Sequence, residues 1–205
     1  MRTHRRLPIA SRRKMEKWFP VLTSRLLLRP FTERDESDLH EYGSDPIVSQ
    51  YTDWGPNTAA QSRDRIQHHL KEQLVWPRDE VDLAIELRAE SKIIGAIRLK
   101  IQDELSRTAD FGFSFNRKYW NQGYATEAAS ALFCVAFTTL ALHRVWGTCD
   151  TRNVASWRVM EKLGMRREAK FRRDVFQKGQ WRDSYLYAML EDDAAATKLR
   201  SAQWP

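Results

Sequence analysis

The stretch FGFSFNRKYWNQGYATEA, residues 111–128, decides the fold. It opens as a strand. Phe111, Phe113 and Phe115 share one face, and Asp110, Gly112 and Ser114 share the other, the period-two pattern of an extended chain. After Gly123 the period changes. Ala125, Ala128, Ala129, Leu132, Phe133, Ala136, Phe137 and Leu140 recur at helical spacing, which predicts a largely buried helix. The first turn of a helix leaves backbone N–H groups without partners, and the helix dipole adds about half a positive charge there. A pyrophosphate answers both. Gly123 lets an anion approach the backbone, and Ala125 is nearly as small; a plain turn glycine would read the same way in isolation. A Walker A loop and a Gly-x-Gly-x-x-Gly fingerprint are both absent, so two familiar phosphate motifs are excluded.

Upstream, residues 25–31 (RLLLRPF) read as a first strand ended by Pro30, and Thr32 with Asp35 opens a polar helix that Asp45 and Pro46 break. Residues 49–57 read as a loop. A helix follows from about Thr58 to Trp76, with Ile66, Leu70 and Leu74 on one face. Strands are expected at 83–87 and 93–101, where Ile97, Leu99 and Ile101 alternate with Arg98 and Lys100. Downstream, His143 to Cys149 is a strand. Asn153 caps a helix with Val159, Met160 and Leu163 inside and Gly164 as its stop. Residues 169–176 and 181–190 are strands joined at Lys178-Gly179, a hairpin signal. From Glu191 onward the chain reads as a frayed tail. The order is β-α-α-β-β-β-α-β-α-β-β, a mixed α/β sheet with helices on its faces.

Hydrophobic residues make up 42% of the 205, enough for a packed core and against wholesale disorder. The net charge is +7, and residues 1–19 account for six of it, with seven basic side chains against Glu16 alone. This arm lacks the stacking aromatics of a nucleic-acid site. It reads as a disordered tail or as residues upstream of the true start. Its Arg-rich, acid-poor composition also matches a mitochondrial targeting peptide, whereas a secretory signal would need an apolar run that is absent. Cys134 and Cys149 lack metal spacing, and the histidines offer no ligand pair, so no metal is expected and a reducing cytoplasm is. No stretch approaches the roughly 20 apolar residues of a membrane span.

The central stretch resembles the Arg/Gln-x-x-Gly-x-Gly/Ala motif of the GNAT acetyltransferases, with Trp120 in the first position, as is common in the branch of the ribosomal-protein N-terminal acetyltransferases. Two more segments resemble that branch: NVAS at 153–156 followed by EKLGM at 161–165, and GQWRDS at 179–184. The RLLLRPF strand is also similar. The likeness spans residues of about 20–193. It implies an arm at 1–17, one acetyltransferase domain at 18–193 and a tail at 194–205, as a monomer or homodimer, with a mixed sheet splayed around acetyl-CoA and helices on both faces.

The resemblance also implies a cofactor pose. Pantetheine pairs with the backbone of Phe113, Ser114 and Phe115 like an added strand. The pyrophosphate meets N–H groups of Gln122, Gly123, Tyr124, Ala125 and Thr126. Arg117 and Lys118 either approach the phosphates or are solvated loop charges. The acceptor is an amine, either a protein N-terminus or a small amine, bordered by the loop of Asp45, Asp53 and Trp54; nucleic acid and membrane are not expected partners. Ser156 hydrogen-bonds the leaving thiolate and protonates it, and Asn153 contacts pantetheine while capping its helix. Asp110 and Asp174 are both candidates for the general base. Tyr185 and Tyr187 are alternative proton donors, or core residues. The competing readings are a non-catalytic acyl-CoA-binding module on the same fold and a nucleic-acid-binding protein led by the arm. Met15 is a candidate natural start, with residues 1–14 dispensable and packing beginning near Trp18 or Phe19.

Overall fold

A computed structural model describes residues 19–75 and 79–201. The expectations for the arm, for Trp18 and for Trp76 lie outside these residues; Phe19 is described and packs against the main core. The chain runs β1 (Val21–Leu22), β2 (Leu26–Arg29), α1 (Glu36–Gly43), α2 (Ala59–Glu72), β3 (Glu80–Leu87), β4 (Lys92–Asp103), β5 (Thr108–Phe115), α3 (Tyr124–Thr138), β6 (Arg144–Asp150), α4 (Val154–Leu163), β7 (Arg166–Gln177), β8 (Gln180–Leu190) and α5 (Ala194–Ser201). Eight strands form one sheet in the order β1-β2-β3-β4-β5-β6-β8-β7. Every neighbouring pair is antiparallel except β5 and β6.

The alternation in β3 to β5 divides the core. Leu83, Ile97, Leu99 and Phe111 face α3, whose Ala128, Ala129, Leu132, Phe133 and Ala136 are buried against them. Ala84 and Ile93 face α1 and α2, which contribute Leu39, Tyr42 and Ile66. Helices therefore cover both faces. Asn153 accepts from the Ser156 N–H at 3.1 Å, and Gly164 ends α4 at φ 86. The polar helix opens through Asp35, whose carboxylate accepts from the Thr32 N–H at 2.7 Å and pairs with Arg29.

Three expectations change. The tail does not fray: α5 packs on the core with Ala196 fully buried, and Ala195 lies against Gly164. Alanine is the best helix former, and its small side chain permits close approach to the neighbouring helix. Leu74 is not on the inner face of α2, because the helix stops at Glu72 and leaves it 82% exposed. The inner face is Ser62, Ile66 and His69. A short strand, β1, also precedes the first strand read from sequence.

His69 is buried and stacks on Phe31, ring centroids 4.2 Å apart. Its Nε2 accepts from Arg65 Nε at 3.2 Å. Burial, then the Arg65 charge, pushes its pKa down to about 3, so the imidazole is neutral and its 3.8 Å approach to Asp82 is no ion pair. Unfolded, the same side chain titrates near 6.5. Between those values the unfolded chain binds the extra proton, so stability is lost as pH falls from about 6.5 to about 3. Melting temperatures across that range should fall less steeply in His69→Gln than in the parent.

Candidate active site

The parallel pair β5–β6 is the structural centre of the site. It makes only three rungs, Thr108–Arg144, Ala109–Val145 and Asp110–Trp146, and then the strands part. Gly147 stands at the point of parting. A side chain there would come within 2.7 Å of the Phe111 ring, which is itself packed edge-on to Phe133. The ring thus fills the space a wider residue would need. Backbone groups of β5 beyond Asp110 have no strand partner on the β6 side, and such groups need partners when covered. Phe113, Ser114 and Phe115 lie along this open edge. The Phe115 carbonyl is already taken by the Trp120 indole N–H at 2.8 Å. The opening leads into a cleft of about 1060 Å³, walled by β5, β6, the α1–α2 loop and the β7–β8 hairpin.

The next α-helix after β5 is α3, with Gly123 at its mouth. Gly123 adopts φ 82, the left-handed region where other residues are strained, and Tyr124 begins the helix. The first-turn N–H groups of Tyr124, Ala125 and Thr126 are those a helix leaves unpaired. Arg25 also comes to this mouth. Its guanidinium pairs with Glu127 at 2.7 Å, donates to the Gln122 carbonyl at 2.9 Å and covers the Tyr124 ring at 4.3 Å. Glu127 further accepts from Thr23 and Ser24. No local pattern could reveal this junction, which joins residues 102 apart in sequence.

Arg117 and Lys118 are drawn to α1 and the loop after it. Arg117 pairs with Asp45 at 3.0 Å and Lys118 with Glu41 at 2.7 Å. Carboxylates on a neighbouring element pair with both, as they would with solvated loop charges, and both side chains stay largely exposed. Asp45 is likewise engaged, whereas Asp53 is exposed and Trp54 packs against the smaller core cluster.

Ser156, Cys149 and Tyr185 collect at the end of β6. Cys149 and Tyr185 are register partners and share a face. Burial pushes the Cys149 thiol up to about 11, although the Ser156 side chain hydrogen-bonds it and acts the other way. At neutral pH it is a thiol, not a nucleophile. Tyr187 is buried; burial, then the Glu161 contact, pushes its pKa up to about 12, and its hydroxyl donates to Glu161 at 3.0 Å. That geometry favours the packing role. Tyr185 is half-buried beneath the Arg167 guanidinium. Asp110 occupies the opposite face at the last rung, where Arg98 and Gln102 hydrogen-bond its carboxylate. Asp174 is not brought to the cleft. It is exposed within the irregular segment of β7 between Phe171 and Val175, whose extra residues turn it outward.

The sequence reading missed Asp150 and Arg182. Asp150 is buried at the end of β6; burial works to raise its pKa, but hydrogen bonds from Arg152 hold it below the usual range. Arg182 donates to the Tyr51 carbonyl at 3.1 Å. Among the described residues no cluster of His, Cys, Asp or Glu could hold a metal, and no helix is long and apolar enough to cross a membrane.

A mixed sheet parted between two parallel strands, the first of them followed by a glycine-led helix, defines a transferase fold of the class implied by the central motif. The acetyltransferase (GNAT) domain family matches residues 25–166, and the chain belongs to it. It is 35% identical over 174 residues to the uncharacterized N-acetyltransferase YnaD of Bacillus subtilis strain 168, covering 84% of this chain and 98% of that one. A crystal structure of a GNAT-family acetyltransferase from Bacillus anthracis is 35% identical, with a TM-score of 0.77 over 84% of this chain and 99% of that one. The Vibrio cholerae spermidine N-acetyltransferase, solved with CoA and spermine, shares the fold at 20% identity, with a TM-score of 0.69 over 82% of this chain and 96% of that one. The protein is an acetyltransferase.

Proposed function

We propose that the protein carries an acetyl group from acetyl-CoA to a primary amine, a protein N-terminal α-amine or a small amine, by direct attack in a ternary complex. The parting of β5 from β6 after three rungs carries this reading. It leaves an extended edge for pantetheine at Phe113, Ser114 and Phe115, and α3, the next α-helix in the chain, offers its first turn to the pyrophosphate. The NVAS, EKLGM and GQWRDS segments favour the ribosomal-protein branch.

In the reaction, the neutral amine nitrogen attacks the thioester carbonyl carbon. A backbone N–H of β5 holds the developing oxyanion. The C–S bond then breaks, and Ser156 relays a proton from water to the leaving sulfur, so its own hydroxyl stays protonated. The amine's surplus proton passes through water to Asp110. A high-pKa Cys149 supports direct transfer over an acyl-cysteine intermediate. An α-amine near pKa 8 is neutral in about one molecule in ten at pH 7, against about one in 2,500 for a lysine-like amine. A base already engaged by Arg98 and Gln102 therefore suits an α-amine.

The test is thiol release from acetyl-CoA in the presence of peptides with free N-termini, polyamines and aminoglycosides. Release that depends on an amine is expected. Acetyl-CoA binding without release for any of them would instead support a non-catalytic acyl-CoA-binding module.

A further inference from the structure

The polar atoms of the cleft divide into those already answered and those not. Asp150 is paired with Arg152 at 2.6 Å, Glu80 faces Lys100 at 3.3 Å, and Asp110 is held by Arg98. Asp82 lies between Arg65 and neutral His69. Four of the five carboxylates that line the cleft are thus engaged; the fifth, Asp53, lines it from an exposed position on the α1–α2 loop.

The unanswered atoms lie elsewhere. Both polar atoms of the Gln177 side-chain amide and the Arg182 Nε are buried without a hydrogen-bond partner. Both residues line the cleft. Register places them together: Gln177 opposes Gln180, and Arg182 is two residues on, so they share a face of the hairpin. Ser184, the next on that face, opposes Asp150 at the end of β6, and its buried hydroxyl is also unpartnered. Buried polar groups are normally hydrogen-bonded, so such a row calls for an explanation.

The hairpin is also held rigidly. Lys178 and Gly179 turn at φ 48 and φ 78. The Lys178 ammonium donates to the Ser49 and Trp54 carbonyls at 2.6 and 3.1 Å, and Arg182 Nη1 donates to Tyr51. These bonds leave Arg182 Nε–H and the Gln177 amide unspent.

Resting on the acetyltransferase reading, we propose that Gln177 and Arg182 bind an amide group adjacent to the acceptor amine, which makes the acceptor an α-amino amide, the first residue of a peptide. The amide carbonyl accepts from Arg182 Nε–H and Gln177 Nε2–H, and the amine N–H on the same side of an extended first residue donates to Gln177 Oε1. A polyamine presents cationic donors alone. It would leave both donors unpaired, set a positive charge against a guanidinium, and find every cleft carboxylate but the exposed Asp53 already paired. A site built for hydrogen bonding rejects ligands that lack the matching group.

The experiment compares kcat and KM for alanyl-alanine amide, n-butylamine and spermidine, with rates referred to the neutral amine, in the parent, Gln177→Leu and Arg182→Met. The parent should favour the dipeptide amide. Each variant should lower the ratio of amide to butylamine kcat/KM by roughly ten- to a hundredfold, the range for one lost buried hydrogen bond, chiefly through KM for the amide. The KM for acetyl-CoA should not follow. If Arg182→Met fails to fold, Gln177→Leu carries the test, since its side chain makes no bond that the fold uses. A preference for spermidine or butylamine, or an unchanged ratio in Gln177→Leu, overturns the assignment and leaves the transferase reading intact. Thiol release with no amine at all overturns both.

Discussion

Gly123→Glu is expected to abolish detectable acetyl-CoA binding by calorimetry. Gly123 sits at φ 82 immediately before α3 and its carbonyl accepts from the Glu127 N–H at 3.0 Å, so the first-turn N–H groups line the mouth of the helix. A glutamate there adds a negative charge where pyrophosphate would meet those groups. It would also stand next to Arg25, whose Nη2 lies 3.4 Å from the position of the new Cβ. A new Glu–Arg contact would close the mouth further. The left-handed backbone adds strain of about 1–2 kcal/mol for any side chain. Gly123→Ala separates the two effects, since it keeps the strain without the charge and should weaken binding much less. A folded Gly123→Glu protein with unchanged affinity would show that the phosphates bind elsewhere.

Ser156→Ala should lower turnover by roughly ten- to ten-thousandfold, the range of general acid–base effects, with little change in acetyl-CoA affinity. The Ser156 N–H is held by Asn153 at 3.1 Å, and its side chain contacts Cys149 at the end of β6. The Asn153 cap thus fixes the backbone of Ser156, and Cys149 on β6 engages its side chain. Alanine keeps the helix and removes only the hydroxyl. If turnover stays within about twofold while chemistry limits the rate, the acid is another group. Tyr185 is then the residue to replace, because Tyr187 already donates to Glu161.

The features legible in sequence are those written by neighbours along the chain. The Phe111-Phe113-Phe115 alternation, the Asn153 cap, the Gly164 stop and the Lys178-Gly179 turn each depend on backbone angles and side chains within a few residues. Propensity and periodicity report on that range. Asp110 could be placed on the polar face of its strand, but its Arg98 and Gln102 partners depended on the register of β4 against β5. Asp174 read as an ordinary strand carboxylate, because an irregularity in a ladder leaves no local mark that distinguishes it.

By itself, then, the sequence determined the order of strands and helices from β2 to β8, the two-faced sheet and the strand-glycine-helix junction at Gly123. Tertiary structure alone decided where β5 and β6 part, since that depends on the Phe111 ring lying over Gly147 from another strand. It decided that Arg117 and Lys118 serve α1 and its loop, that Arg25 reaches Glu127, and that α5 is packed rather than frayed. It also brought Gln177 and Arg182 into the cleft wall. The physical reason is common to all of these. Charges, buried polar atoms and close-packed rings take their meaning from partners across space, and those partners are chosen only when the elements dock.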